Sequence, residues 1–121
     1  MTRRKILVVD DEPQLCELVK AMLEHDGHTV QTAISASGAM DLLERETFEV
    51  MFTDYLMPGM KGDQLGVHVK QRYQIKVVML SACPPTRPPR EIDYIVLKPF
   101  SPFNLRLALD AVGGRDPQPK Q

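Results

Sequence analysis

Short apolar segments alternate with segments of helical periodicity, and this alternation restricts the fold more than any other feature of the chain. Four segments are almost continuously apolar, at residues 5–9, 48–53, 75–80 and 94–97. Continuous apolarity, without period-two alternation, is typical of strands buried on both faces of a parallel sheet. A fifth segment, residues 29–33, is more polar, and we expect it at an edge of the sheet.

Helical periodicity fills the intervals between these strands. Apolar residues at 15, 18, 19, 22 and 23 form one stripe of a helix. Pro13 suits the first turn of that helix, and Gly27 predicts its end. Further helices are predicted from about residue 35 to 46, from near residue 63, and from just after Pro102 to Gly113. The order predicts an α/β fold with right-handed crossovers and helices on both faces of a parallel sheet.

Residues 81–90 interrupt this pattern. Their sequence, SACPPTRPPR, contains four prolines, at 84, 85, 88 and 89. Proline lacks the backbone N–H and clashes with the preceding turn, so these residues cannot form the interior of a helix. An extended, stiff loop is therefore expected where the alternation would place a helix before the last strand.

Charge and composition limit the classes of partner and the compartment. Fifteen basic and sixteen acidic residues give a net charge of -1, without the basic excess typical of domains that bind nucleic acid through phosphates. No apolar run approaches the roughly 20 residues that span a bilayer, and the amino terminus lacks the apolar core of a signal peptide. Cys16 and Cys83 are too few for a disulfide scaffold. We expect one cytoplasmic domain over residues 1–112, without nucleic-acid or membrane partners, followed by a polar tail or linker start over residues 113–121.

Charged and polar side chains follow the carboxyl ends of four predicted strands. Asp10 and Asp11 follow the first strand, Asp54 the third, Ser81 the fourth and Lys98 the fifth. Taken singly, an Asp pair is often a helix cap and an Asp before a turn is usually a turn former. Because these residues occur together at the ligand-binding edge of a doubly wound sheet, they favour a site for Mg²⁺ and for transfer of a phosphoryl group. Crowded carboxylates suit Mg²⁺, and a carboxylate can attack phosphorus while an ammonium and a hydroxyl stabilise the transferred group.

Three motifs carry these residues and resemble those of the receiver domain of two-component response regulators. They are VVDDE at residues 8–12, DYLMPGMKG at 54–62 and LKPF at 97–100, and the resemblance extends from about residue 4 to 112. It implies a chemotaxis-type, flavodoxin-like fold, a doubly wound five-stranded parallel sheet in strand order 2-1-3-4-5. The implied function is that of a phosphoacceptor in a phosphorelay, which takes a phosphoryl group from a sensor histidine kinase or phosphotransfer protein. Such a domain is not otherwise an enzyme.

The resemblance also assigns the site residue by residue. The assigned residues are Asp54 as phosphoacceptor, Lys98 and Ser81 beside it, and Asp11, Asp54, the backbone carbonyl of Leu56 and, weakly or through water, Asp10 as Mg²⁺ ligands. The family further implies a cis peptide bond before Pro99. The apolar side chain of Leu56 offers no group to orient a water molecule, so we expect slow autodephosphorylation.

Departures from the family fall where relatives pass on their signal. Ser81, which matches the switch serine or threonine of the family, lies several positions closer to Lys98 than is usual, and the missing length coincides with the prolines. We therefore expect the fourth helix of the family to be absent or reduced to a proline-rich loop. Ile95 occupies the usual aromatic switch position, and Tyr94, one residue away, should point to the other face. This predicts an atypical output face with an unknown output partner, with the loop around Arg87 and Arg90 as a candidate surface.

Two other interpretations remain open on the sequence alone. In a pseudo-receiver, the fold would act as a phosphorylation-independent protein interaction module. The missing helix and aromatic residue favour that interpretation, whereas the intact Asp54 and Lys98 oppose it. An aspartate-nucleophile phosphohydrolase would also use carboxylates and Mg²⁺. Such enzymes place the nucleophile in an Asp-x-Asp arrangement after the first strand, where this chain reads Asp10-Asp11-Glu12.

Overall fold

Five strands and four helices lie within residues 3–113, which are the residues that the computed structural model describes. The elements are β1 (Lys5–Val9), α1 (Pro13–His25), β2 (Thr29–Ala33), α2 (Ala36–Arg45), β3 (Val50–Asp54), α3 (Gly62–Tyr73), β4 (Lys76–Ser81), β5 (Tyr94–Leu97) and α4 (Pro102–Gly113). None of these helices is long and apolar enough to cross a membrane. Residues 114–121, most of the predicted tail, lie outside the described residues.

All five strands are parallel and form one sheet in the order β2-β1-β3-β4-β5. This order confirms the flavodoxin-like doubly wound fold and the edge position of the more polar strand β2. Strand order reverses at β1, which pairs with β2 on one side and β3 on the other. Connections leave β1 and β3 toward opposite faces at this reversal, which opens a crevice beyond the carboxyl ends of the strands.

Two apolar cores cover the two faces of the sheet. Phe52 and Leu105 belong to the core beneath α1 and α4, whereas Met51 and Leu65 belong to the core beneath α2 and α3. Because successive strand residues point to opposite faces, a strand buried on both sides is apolar throughout. Each such side chain contributes roughly 1.5–3 kcal/mol when fully buried.

Strands β3 and β4 begin and end slightly later than predicted. The apolar pattern predicted residues 48–53 and 75–80, whereas the strands are Val50–Asp54 and Lys76–Ser81. Phe48 and Ile75 precede the strands but are still buried in the core, so their apolarity extended the prediction by one or two residues. Asp54 and Ser81 are consequently the last residues of their strands and are held by the sheet.

No helix forms between β4 and β5 within the described residues, which confirms the prediction for the proline-rich segment. Helix α4 therefore corresponds to the last helix of the family. The end of the segment is fixed to the sheet and to α3. The Asp93 carboxylate accepts a hydrogen bond from the Val77 amide (2.8 Å) and pairs with Lys70. Ile92 packs against Gly66, where a Cβ atom would lie 2.5 Å from its Cδ1.

Candidate functional site

A cleft of about 270 Å³ lies at the carboxyl ends of β1, β3, β4 and β5. It is lined by Asp11, Glu12, Asp54, Leu56, Ser81, Ala82, Cys83 and Lys98. Asp10 lies directly beside it, because one carboxylate oxygen from each of Asp10, Asp11 and Asp54 falls within 4.8 Å of the others. The structure thus brings together all six residues that the sequence pointed to.

The acidic cluster contains one carboxylate that is almost fully buried. Asp10 is 1% exposed, and its Oδ1 accepts a hydrogen bond from the Glu12 amide at 2.9 Å. Burial raises the pKa of Asp10, and the charge of Asp54 raises it further, while the Glu12 hydrogen bond opposes the increase. Its Oδ2 atom has no hydrogen-bond partner among the described residues. A buried carboxylate oxygen that accepts no hydrogen bond, together with two neighbouring carboxylates, is a hard-oxygen donor set that fits Mg²⁺.

Lys98 supplies the positive charge of the site. Its Nζ donates a hydrogen bond to Asp54 Oδ1 at 2.9 Å and lies 3.6 Å from Asp10 Oδ2. Partial burial lowers the pKa of Lys98, but the hydrogen bond with Asp54 and the charges of both carboxylates outweigh it and raise the pKa above its ordinary value. The side chain therefore remains an ammonium in the cleft. The Lys98–Pro99 peptide bond is cis, as the family resemblance implied.

Asp54 ends β3 and is only 8% exposed. A short turn connects Asp54 to α3, and a hydrogen bond from the Gly62 amide to the Tyr55 carbonyl (2.8 Å) closes this turn. A Cβ atom on Gly62 would lie 2.0 Å from the Asp54 carbonyl oxygen, so only glycine fits at this approach. Met57 is buried and anchors the turn, whereas the Leu56 side chain is 56% exposed at the rim of the cleft.

Ser81 is the last residue of β4 and lines the same cleft as Asp11 and Asp54. It is 2% exposed, and its Oγ accepts a hydrogen bond from the Cys83 amide at 3.0 Å. The next residue, Ala82, is small and exposed at the cleft. A hydroxyl in this position can donate its own hydrogen to an oxygen placed in the cleft while it still accepts from Cys83.

Strand β5 confirms the predicted orientation of its aromatic residue. Tyr94 packs with Val96 on the core beneath α1 and α4. Ile95 alternates with them and therefore faces the opposite side of the sheet. The register pairs Met79 with Ile95 and Ser81 with Leu97. The family resemblance implied that Ile95 stands at the position of an aromatic switch residue.

Two residues of the site were not singled out from the sequence. Glu12 lines the cleft, and its place directly after the two aspartates was an available signal. Gly62 lacks a side chain and so allows the start of α3 to pack closely against the backbone of Asp54. The corresponding signal in the sequence was a glycine at the predicted start of a helix. His28 is buried near Arg4 at the opposite end of β1, and it takes no part in the cleft.

The family model described as the response regulator receiver domain matches residues 6–110. The chain belongs to this receiver-domain family. Among solved structures, it is similar to the chemotaxis protein CheY4 of Vibrio cholerae, with a TM-score of 0.84 and 26% identity over 92% of this chain and 99% of that one.

Two further receiver structures show the same likeness. The response regulator TrrA of Thermotoga maritima, solved in complex with Mg²⁺-BeF, matches with a TM-score of 0.81 and 27% identity over 88% of this chain and 96% of that one. The receiver domain of the Francisella response regulator 1452 matches with a TM-score of 0.78 and 27% identity, over 89% and 94%. The receiver fold is thus retained in this chain without a helix between β4 and β5.

Proposed function

We propose that this receiver domain takes a phosphoryl group onto Asp54 from a sensor histidine kinase or a phosphotransfer protein, with Mg²⁺ as cofactor. The observation that carries the proposal is the hydrogen bond from Lys98 Nζ to Asp54 Oδ1 inside a cleft where three carboxylates converge. The ammonium fixes the position of the acceptor carboxylate and adds a positive charge where a phosphoryl group would arrive. The pseudo-receiver alternative is not favoured, because the complete set of side chains remains together.

The transfer itself requires little of the protein beyond positioning. An oxygen of the Asp54 carboxylate forms a bond to phosphorus as the bond from phosphorus to the leaving atom breaks. The leaving group keeps the electron pair, as the imidazole nitrogen of a phosphohistidine or the carboxylate oxygen of acetyl phosphate. Lys98 then pairs with an oxygen of the new acyl phosphate, and the Ser81 hydroxyl donates a hydrogen bond to another.

Four groups would hold the metal ion: the carboxylates of Asp10, Asp11 and Asp54 and the backbone carbonyl of Leu56. When bound, Mg²⁺ neutralises negative charge on phosphoryl oxygens. The Oδ2 atom of Asp10, which accepts no hydrogen bond among the described residues, supports this assignment, as does the Mg²⁺-BeF complex of the similar protein TrrA. The domain would act on no separate substrate, and its chemistry would be limited to its own phosphorylation and slow hydrolysis.

Intact-mass spectrometry tests the proposal directly. The protein would be incubated with acetyl phosphate and either Mg²⁺ or EDTA, beside an Asp54→Asn variant. We expect one added phosphoryl group with Mg²⁺, and none with EDTA or in the variant. A phosphoryl group retained by the Asp54→Asn variant, or no uptake by the unmodified protein with Mg²⁺, would contradict the assignment.

A further inference from the structure

Residues 82–93, here called the proline-rich loop, occupy the interval between β4 and β5 where relatives carry a helix. Four residues near its middle are well exposed: Thr86, Arg87, Pro88 and Arg90. The prolines restrict the backbone, so little conformational entropy would be lost if a partner bound this surface. Exposure and stiffness together suit a recognition element.

Both charged residues in the exposed middle of this loop are basic, whereas its two acidic residues, Glu91 and Asp93, lie next to β5, where Asp93 pairs with Lys70. Residues 82–90 contain Arg87 and Arg90 and no acidic residue, although the whole chain carries a net charge of -1. Neither arginine forms an ion pair or a side-chain hydrogen bond within residues 3–113, whereas Arg4, Arg72 and Arg106 each pair with a carboxylate. Two arginines without internal partners, three residues apart on a stiff loop, complement carboxylates on another molecule.

The loop is connected at one end to the candidate phosphorylation site. Its second residue, Cys83, donates its amide hydrogen to Ser81 Oγ, the hydroxyl that faces the cleft. Its other end is fixed by Ile92 against α3 and by Asp93 on β4. A change at the Ser81 hydroxyl would therefore act on the free middle of the loop, because the far end cannot move with it.

We propose that the proline-rich loop is the output surface of this receiver domain, where Arg87 and Arg90 bind an acidic surface on a downstream protein. Phosphorylation regulates this binding through the hydrogen bond between Ser81 and Cys83. The coupling rests on the function proposed above, whereas the acid-binding surface rests on the loop itself. No aromatic switch residue is needed on this route, since the loop replaces both the missing helix and the missing aromatic residue as the responding element.

A charge-reversal experiment tests the surface. The probe is fluorescein-labelled poly-L-glutamate at low ionic strength, and its binding is measured by fluorescence anisotropy. Mg²⁺ is present in every sample, and beryllofluoride is either added or left out. We expect Arg87→Glu/Arg90→Glu to weaken binding at least about tenfold. The control Lys20→Glu/Lys76→Glu changes the net charge equally at two lysines without ion pairs within the described residues, and it should alter binding less than about twofold. Equal losses in the two variants, or no binding by the unmodified protein, would overturn the proposal.

A second readout separates the coupling from the phosphorylation itself. A nitroxide would be attached to Thr86→Cys in a Cys83→Ser background, with His68→Cys on α3 as the control site. Cys16 should stay unlabelled, because it is buried and burial raises the pKa of its thiol to about 11. Beryllofluoride with Mg²⁺ should change the electron paramagnetic resonance spectrum of the label at residue 86. The spectrum of the label at residue 68 should not change, and neither should that at residue 86 in an Asp54→Asn background. Beryllofluoride with Mg²⁺ should also raise the affinity for polyglutamate severalfold.

The two proposals fail in different ways. A domain that gains a phosphoryl group by mass but shows an unchanged spectrum at residue 86 and an unchanged polyglutamate affinity would refute the regulation of the loop by phosphorylation, and leave the function proposed for Asp54 intact. A domain that gains no phosphoryl group would refute the function proposed for Asp54. Thermal unfolding of each variant confirms that the exposed substitutions leave the fold intact.

Discussion

Gly62 offers the sharpest structural test of how the acceptor is positioned. A Cβ atom at this residue would lie 2.0 Å from the Asp54 carbonyl oxygen and 2.9 Å from its carbonyl carbon. Non-bonded carbon and oxygen atoms need more than about 3 Å, so Gly62→Ala must move α3 and the end of β3 apart by about 1 Å. Both partners are backbone atoms, and no side-chain rotation can relieve the contact.

The expected cost follows from this forced movement. Overpacking of this kind costs typically 1–3 kcal/mol, and a gain of up to about 1 kcal/mol in helix propensity offsets part of it. A net loss of about 2 kcal/mol corresponds to a fall in Tm of roughly 6–10 °C for a domain of this size. The rate of phosphorylation should fall further than the stability implies, because a displacement of about 1 Å at a reacting group can cost about 100-fold.

Gly113→Ala is the matched control. A Cβ atom at Gly113 would meet only the flexible end of Arg4, at 3.4 Å, at the far end of α4. The two variants would be compared by thermal unfolding and by the rate of mass gain with acetyl phosphate and Mg²⁺. We expect Gly113→Ala to behave like the unmodified protein. If Gly62→Ala matched it within about 2 °C in Tm and about twofold in rate, the close approach would not position Asp54.

Two further predictions concern hydrolysis and pH. Leu56→Asn should speed the loss of the phosphoryl group from Asp54 about tenfold, because it places an amide that can orient water at the rim of the cleft. Ile34 is an equally exposed apolar residue, and Ile34→Asn should leave the rate of hydrolysis unchanged. Equal rates in the two variants would contradict the role of residue 56. Burial lowers the pKa of His28 below its ordinary value of 6.5. Between about pH 7 and the lowered pKa, the unfolded chain therefore binds more protons than the folded one. The free energy of unfolding should fall as the pH drops through this range. Urea unfolding at pH 7.5 and 5.5 should show a smaller pH effect in His28→Gln than in the unmodified protein, and equal effects would refute this cause.

The site was more accessible to prediction from the sequence than the limits of the elements. Asp10, Asp54, Ser81 and Lys98 could be placed because each follows a recognisable apolar run, and parallel strands bring their carboxyl ends to one edge. The limits of β3 were less certain, because Phe48 is apolar for the core rather than for the strand. A single-residue pattern does not distinguish these two causes of burial.

Contacts between distant segments could not be predicted in the same way. The anchoring of Ile92 on Gly66 and of Asp93 on Val77 joins residues from separate elements, and nothing local marks either pair. The packing of α3 against Asp54 through Gly62 is similar, since its spacing depends on the whole sheet. Local sequence patterns report burial and backbone preference, whereas such contacts depend on the assembled fold.

These contacts explain how the chain can lack a helix and still hold its site together. Lys98 reaches Asp54 only if β5 keeps its register on β4, and both ends of β5 are fixed directly to that strand. Asp93 exchanges two hydrogen bonds with Val77 at the start, one through its amide and one through its carboxylate, and the Lys98 amide donates to the Ser81 carbonyl at the end (2.9 Å). The register of β5 is therefore set by the sheet rather than by a covering helix. Sequence changes between residues 82 and 91 can alter the proposed output surface without moving the ammonium that pairs with the acceptor.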